Sequence, residues 1–307
     1  MIGRVIEVVE SDRRLSLEYG NMVIKDSSHT LAKVSLDDIS AVVVNPYGTS
    51  QTAGLLAAFA ERSIPFVIAG KNFSPIGVMR PIEGNFEQSA RIEAQIEATK
   101  PTSKRLWQQI IRAKIDMQAM ALDVVGAQSA SLKEMALRVR SGDPDNLEAQ
   151  AARAYWSRMF GRQFRRDRAL AGINSFLNYG YAVLRSATAR AVVSAGLHPS
   201  IGIHHRNAYN SMRLVDDLME PYRPLVDLRV YSMAKAGPEE VNALSKRKLV
   251  SVINTDVPTS AGMSPVSVAL HCMATSLSQV YLGERDRLEL PSSRMIDEIR
   301  DLANEVA

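Results

Sequence analysis

The stretch Pro81-Ile82-Glu83-Gly84-Asn85 (PIEGN, 81–85) divides this sequence into two parts of different periodicity, and the fold class follows from what lies on either side. A proline and a glycine within five residues interrupt regular structure, so the stretch reads as a linker. Upstream, short runs rich in Val, Ile and Leu occupy Arg4–Val9, Leu15–Tyr19, Met22–Lys25, Ala32–Ser35, Ala41–Asn45, Ile64–Ala69 and Ile76–Arg80. Turn-forming pieces separate them, among them Tyr19-Gly20-Asn21, Lys25-Asp26-Ser27-Ser28 and Gly70-Lys71-Asn72, and the spacing suits hairpins. One helix is expected within this part, Ser50–Arg62, with Ser50 as its N-cap. Downstream the apolar spacing becomes helical and stays so: Phe86–Thr99, Ser103–Val125, Ser131–Arg140, Leu147–Arg166, Ser175–Ala195, Leu214 onward and Pro265–Leu282, with an amphipathic helix from Pro291. The expected fold class is α+β: a small β-rich domain with one helix (1–80), a linker (81–85) and a larger all-helical domain (86–307).

Composition narrows the function classes. Apolar residues at 46% and charged residues at 23% are ordinary globular values. The single cysteine, Cys272, excludes a disulfide framework and thiolate zinc sites and fits a reducing compartment. No apolar run reaches the ~18 residues of a membrane span, and the first residues lack the layout of a signal peptide, so a cytoplasmic protein is expected. A net charge of +4 is mild, but its distribution is not even: six arginines (Arg153, Arg158, Arg162, Arg165, Arg166 and Arg168) crowd one segment, a candidate phosphate track.

The scarce chemistry concentrates in Gly202–Glu220, GIHHRNAYNSMRLVDDLME. His204 and His205 are adjacent, and Asp216, Asp217 and Glu220 follow in a segment of helical pattern. On a helix Asp217 and Glu220, at i and i+3, share a face. Two close carboxylates need a proton or a cation between them, and a neighbouring imidazole favours Mn²⁺ or Mg²⁺. Glu148 lies on the face of Ala152 and Tyr155, where a lone carboxylate also needs a partner. An arginine, a capping role beside Asp143 and Asp145, and a metal all remain open for it. Asn174 and Asn178, four apart, read as interhelical hydrogen-bonding groups. Pro221 and Pro224 kink or restart the acidic helix, leaving Arg223 to point into the same cleft. Lys246-Arg247-Lys248 reads as a basic tip leading into a strand-like run or a helix start, and Cys272 beside His271 makes no nucleophile constellation.

Three blocks carry a family likeness: EAQAARAYW with Glu148, RDRALAGINSFLNYGYAVL, and GLHPSIGIHHRNAYNSMRLVDDLMEPYRPLVD. In order and distance they resemble the CRISPR-associated integrases of spacer acquisition over essentially the whole chain, and the adjacent histidines with DLMEPYRP are similar to the type II variant. The resemblance implies a metal-dependent DNA endonuclease and integrase of antiviral defence, in which a 3′-hydroxyl of a short donor duplex attacks a phosphodiester of the CRISPR repeat. It implies Mg²⁺ or Mn²⁺ held by Glu148, His205 and Glu220, with Asp217 as a further ligand or just behind one. His204 becomes an outer or DNA-facing residue, and Asp216 a surface acid. DNA contacts fall on Arg158, Arg162, Arg165, Arg166 and Arg223, and on Tyr19, similar to an aromatic that stacks on a duplex end in related integrases. A homodimer, a small ferredoxin-like adaptation partner and the RNA-guided effector nuclease are the implied partners. Two other classes remain: a helical metal-dependent nucleotide phosphohydrolase, although the adjacent His-Asp dipeptide of that group is absent, and a DNA-binding scaffold without chemistry.

Overall fold

The computed structural model describes residues 4–8, 10–44, 48–62, 64, 66–69, 75–79, 86–237, 241–259 and 262–292. The expected linker 81–85, the turn at Gly70-Lys71-Asn72 and the closing helix beyond Ser292 lie outside them.

Among the described residues the N-terminal part holds two four-stranded sheets, one α-helix and a 3₁₀ turn at Leu36–Asp38. The first sheet has β1 (Arg4–Val8), β5 (Ile39–Val44), β7 (Phe66–Ala69) and β8 (Pro75–Met79), in the order β1-β5-β7-β8. The second has β4 (Thr30–Ser35), β3 (Asn21–Lys25), β2 (Arg13–Glu18) and β6 (Thr49–Gln51). Hairpins account for β2-β3-β4 and β7-β8 only, for β1-β5-β7 run parallel, as do β2 and β6. The β2–β3 turn is built on Tyr19 and Gly20, both at positive φ (47° and 73°), as a tight hairpin requires. The expected Ser50–Arg62 helix is shorter. Thr49–Gln51 pairs with β2, and α1 (Ala53–Glu61) starts one residue after Thr52, whose Oγ1 accepts from Leu55 N. A cap needs a side-chain acceptor aimed at the first turn, and Thr52 supplies it. Leu55, Ala58 and Phe59 of α1 close a core with Leu15, Met22 and Phe66.

The C-terminal part is built on α3 (Lys100–Val124), following α2 (Phe86–Ile96). Around it lie α4 (Ala130–Arg138), α5 (Leu147–Met159), α7 (Arg213–Leu218) and α8 (Arg223–Lys235), while α6 (Ile173–Ser194) packs on the outer side of α7 and α8. The second half of α3 is buried on almost every side, from Ala113 to Leu122, so any polar group there must find a partner inside. The domain is not all-helical: β9 (Asp256–Thr259) and β10 (Gly262–Pro265) form an antiparallel hairpin between α9 (Ala243–Val250) and α10 (Val266–Tyr281). Of the two readings left open for Ser245–Asn254, a strand-like run and a helix start, the helix is found: Asn242 and Ser245 form a reciprocal capping box that nucleates α9, which runs on into a 3₁₀ turn. Close approach of α6 and α8 depends on Gly180, where an added Cβ would lie 2.4 Å from Val226 Cγ1. No helix among the described residues is long and apolar enough to cross a membrane.

Candidate metal and DNA site

The acidic segment does not remain one helix. α7 stops at Leu218, a 3₁₀ turn takes Glu220-Pro221-Tyr222, and α8 starts at Arg223 with Pro224 in its first turn. Pro221 lacks the N–H that would donate back to Asp217 O, so the α-helical ladder stops there, and Pro224 suits the first turn of the restarted helix. Among the described residues Asp217 and Glu220 make their direct ion pairs with different groups, Asp217 with His205 and Glu220 with Lys114 and Arg223.

Asp217 is wholly buried and organises the histidine loop. Its Oδ2 accepts from Ile203 N (2.7 Å) and His204 N (3.0 Å), and its Oδ1 accepts from His205 N (3.3 Å). His205 Nδ1 stands 2.6 Å from the same Oδ1. An ionised carboxylate only accepts, so Nδ1 carries the proton and Nε2 keeps the lone pair. The hydrogen bond to Asp217 raises the His205 pKa against the opposing effect of burial, and Glu220 is near enough to add to the rise. The loop passes so close to Asp217 at Gly202 that a Cβ there would meet Arg213 Cβ and His205 O at 2.8 Å and Asp217 Oδ2 at 3.0 Å.

Glu220 is buried, with Oε1 accepting from Arg223 Nε at 2.8 Å and Oε2 2.7 Å from Lys114 Nζ. Oε2, fully enclosed, faces only the Lys114 ammonium among the described residues. Burial alone would push this carboxyl up, but Arg223 and then Lys114 outweigh it and hold the group at about 2. Glu148 reaches the same ammonium, its Oε1 accepting from Lys114 Nζ at 2.6 Å. The capping role left open for Glu148 belongs to Asp143, whose carboxylate accepts from Leu147 N (2.9 Å) and Glu148 N (3.0 Å). Lys114 is thus the residue that the motifs missed. Its signal is a lysine on the stripe of Trp107, Ile110 and Ile111, at i+7, i+4 and i+3, where an apolar side chain is expected.

Among the described residues no three His, Cys, Asp or Glu side chains form a cluster that encloses a metal. The donor set nevertheless suits a divalent cation. Glu148 and Glu220 already converge on one positive centre, the Lys114 ammonium, and His205 Nδ1 is held by a carboxylate behind it, the usual support of a metal-bound imidazole. Oxygen donors with one imidazole match Mg²⁺ or Mn²⁺.

The arginines have divided fates because α5 ends at Met159 rather than running to Arg166, so Arg162, Arg165, Arg166 and Arg168 lie in a loop. Gly161, at φ 93°, follows the helix end. Arg158 is spent on Gln128 O (3.0 Å) and Ser131 Oγ (2.8 Å), tying α5 to the start of α4. Arg166 donates to Asn174 Oδ1 (3.0 Å) and Asn178 Oδ1 (2.8 Å) and lies over the Tyr181 ring. The two asparagines also donate to Arg165 O and Arg168 O, so they clamp the arginine loop onto α6 and make no interhelical bonds of the expected kind. Arg162, Arg165 and Arg168 stay exposed. Arg223 does enter the cleft, but its guanidinium holds Glu220 and covers the Tyr181 ring, 4.6 Å from its centroid. Beneath it the Tyr155 and Tyr181 hydroxyls donate to buried Asp227 at 2.9 and 2.5 Å, and burial raises that carboxyl to about 7.

Arg166, Arg168, Arg185 and Arg223 line a cavity of about 680 Å³ that opens onto His205. Asp216 borders it but is not a free surface acid, since Arg185 Nε donates to its Oδ1 at 2.6 Å and Asn210 Nδ2 to its Oδ2 at 2.7 Å. On the other side of the histidine pair, Lys100, Lys104 and Arg206 border a cavity of about 310 Å³, and none of the three has a carboxylate partner among the described residues. There His204 lies flat on Trp107, ring centroids 4.1 Å apart. Tyr19, far from both cavities in sequence, is 97% exposed at its hairpin tip and so is not core packing.

Comparisons with known proteins bear on this arrangement. The family model described as "CRISPR associated protein Cas1" matches residues 6–248. A CRISPR-associated endonuclease Cas1 from Neisseria meningitidis serogroup C (strain 8013) is 38% identical over 234 residues, 75% of this chain and 76% of that protein. Among solved structures, a partial Cas6-RT-Cas1–Cas2 complex superimposes with a TM-score of 0.74 at 18% identity, covering 95% of this chain and 99% of the matched chain. A casposase bound to its integration product gives 0.67 at 20% identity, covering 93% and 97%.

Proposed function

The chain belongs to the Cas1 family of CRISPR-associated proteins, and from that premise we propose that it is a metal-dependent DNA endonuclease and integrase that inserts short foreign DNA fragments into a CRISPR array. The observation that carries the reading is the convergence of Glu148 and Glu220 on one cationic position, beside an imidazole whose Nδ1 is tied down by Asp217.

Glu148, Glu220 and Nε2 of His205 are the groups proposed to hold Mg²⁺ or Mn²⁺. When bound, such an ion supplies Lewis-acid stabilisation of the charge that develops at a phosphodiester under attack. The chain's own residues do the rest. Asp217 fixes the tautomer and the orientation of His205 and sits behind it, with every acceptor position engaged by the loop. Arg223 and Lys114 keep Glu220 ionised in a buried place. Arg168 and the clamped loop around it, with Arg185, face the cavity in front of His205, where a sugar-phosphate backbone is to be positioned without base reading. The 3′-hydroxyl of the donor is the nucleophile, so no covalent enzyme intermediate is needed. Cys272 and His271 take no part, since burial raises the thiol and lowers the imidazole pKa.

The matched Cas1–Cas2 assembly supports a Cas2-type adaptation partner, and the family reading adds a ferredoxin-like fold for that partner and a homodimer of this chain. Tyr19, exposed at the β2–β3 tip, is proposed to meet a duplex end. The test incubates a short duplex with supercoiled plasmid and Mn²⁺ or Mg²⁺ and scores strand transfer by the wild type, E148A, H205A and E220A. Loss in all three variants is expected; equal transfer by all four proteins would remove the metal site, and hydrolysis of free nucleotides without any activity on DNA would replace the function.

A further inference from the structure

Lys114 has no place among the motifs, yet it is the most fully enclosed cation of the site. Its side chain is 10% exposed and lies 2.6 Å from Glu148 and 2.7 Å from Glu220. Burying an ammonium is costly unless charges compensate it, and here two carboxylates do so. The converse also holds. Without Lys114, Arg223 would be the only cation in contact with this carboxylate pair among the described residues, and it touches Glu220 alone. Two positive groups, Lys114 and Arg223, meet two negative ones, Glu148 and Glu220, so the cluster is balanced before any ion arrives.

We propose that Lys114 is a resident cation that gathers Glu148 and Glu220 in the metal-free protein and makes retention of a divalent ion conditional on DNA. The proposal rests on the reading that these two carboxylates hold the metal. A dication added to a balanced cluster leaves it with two charges in excess, and it meets an ammonium on the very oxygens it needs. A phosphodiester brought with it restores the balance and offers the displaced ammonium a new partner. The arginines around the neighbouring cavity act in the same sense: they raise the positive potential that repels a lone dication and attract the anion that offsets it. Metal and DNA should therefore bind cooperatively, and by linkage each should strengthen the other equally. The device keeps a nuclease site without its ion until a substrate backbone is in place.

The test is equilibrium binding of Mn²⁺, read from the electron paramagnetic resonance signal of the free ion, with and without a short duplex whose 3′ ends are dideoxy-terminated. Wild type, K114M, K114R and E148Q are compared. K114M should bind Mn²⁺ roughly tenfold more tightly than wild type in the absence of DNA, within the usual range of coupling between sites, and should lose most of the strengthening that DNA brings. K114R, which keeps the charge, should behave as wild type. K114Q replaces K114M if the latter loses its helical circular dichroism. Unchanged or weaker Mn²⁺ binding by the folded, charge-removed variant overturns the proposal. If wild type and E148Q bind Mn²⁺ equally, the metal assignment itself has failed, and the role of Lys114 falls with it.

Discussion

Replacing Asp217 by Asn tests the histidine loop with almost no change of shape. The carboxylate serves three backbone N–H groups and His205 Nδ1, all within 3.3 Å. An amide has one acceptor oxygen. With that oxygen toward Ile203 it can serve Ile203 N and His204 N, which leaves the NH₂ group facing His205 N–H and Nδ1. The backbone donor then loses its partner inside the protein, at about 1–3 kcal/mol, and the remaining bonds lose the strength that a charged acceptor gives. A total of about 3 kcal/mol of lost stability is expected, a large share of the usual margin. The chemical effect is sharper than the energetic one. The NH₂ donates to Nδ1, so the imidazole proton moves to Nε2 and the lone pair proposed for the metal disappears. Disturbing a partner of this kind costs about 10–100-fold in metal affinity or activity. The assays are urea unfolding, strand transfer in Mn²⁺, and the ¹⁵N shifts of His205, which report the tautomer directly. A D217N protein with wild-type transfer and Nε2 still unprotonated would refute the reasoning.

Three further outcomes are expected. G202A should destabilise by about 1–3 kcal/mol through overpacking and reduce transfer, because the new Cβ meets backbone at His205 O, which has no side-chain freedom to yield; an unchanged urea midpoint would contradict the close approach. Asp227 titrates near 3.8 when unfolded and at about 7 in the fold, so its contribution is full below pH 3.8 and is lost as the pH rises through 7. D227N should accordingly show a flatter fall of the unfolding midpoint between pH 5 and 8 than wild type, by on the order of a few kcal/mol at the alkaline end; parallel curves would place the proton elsewhere. R162E should weaken DNA binding and flatten its salt dependence, by about 0.9 in the logarithmic slope for each phosphate no longer neutralised, with the melting temperature unchanged. R158E, in contrast, should lower the melting temperature, since it removes the tie to Gln128 and Ser131; equal effects of the two substitutions on stability would erase the distinction.

Local pattern alone separated the β-rich part from the helical part, located most strands within a residue or two, and drew attention to Glu148, the His204-His205 pair and the acids Asp216, Asp217 and Glu220, because burial periodicity and the proximity of polar residues are properties of neighbours in the chain; the family resemblance narrowed these to Glu148, His205 and Glu220. Which segments meet across the chain is another matter. The parallel β1-β5-β7 arrangement was missed although β5 carries Val42, Val43 and Val44 in succession, all buried, the continuous apolar run of a strand covered on both faces rather than the alternation of a half-exposed hairpin. The arginine cluster looked uniform, yet helix termination about two turns early and two asparagines on α6 divide it into a structural tie, a clamped residue and four exposed cations. Asp217 and Glu220 looked like a pair, but in the fold one is taken by the histidine loop and the other by Lys114 and Arg223. Lys114, 34 residues before Glu148, became part of the site only because α3 runs through the middle of the helical domain, where a charge cannot be hydrated and must be answered by the nearest opposite charges.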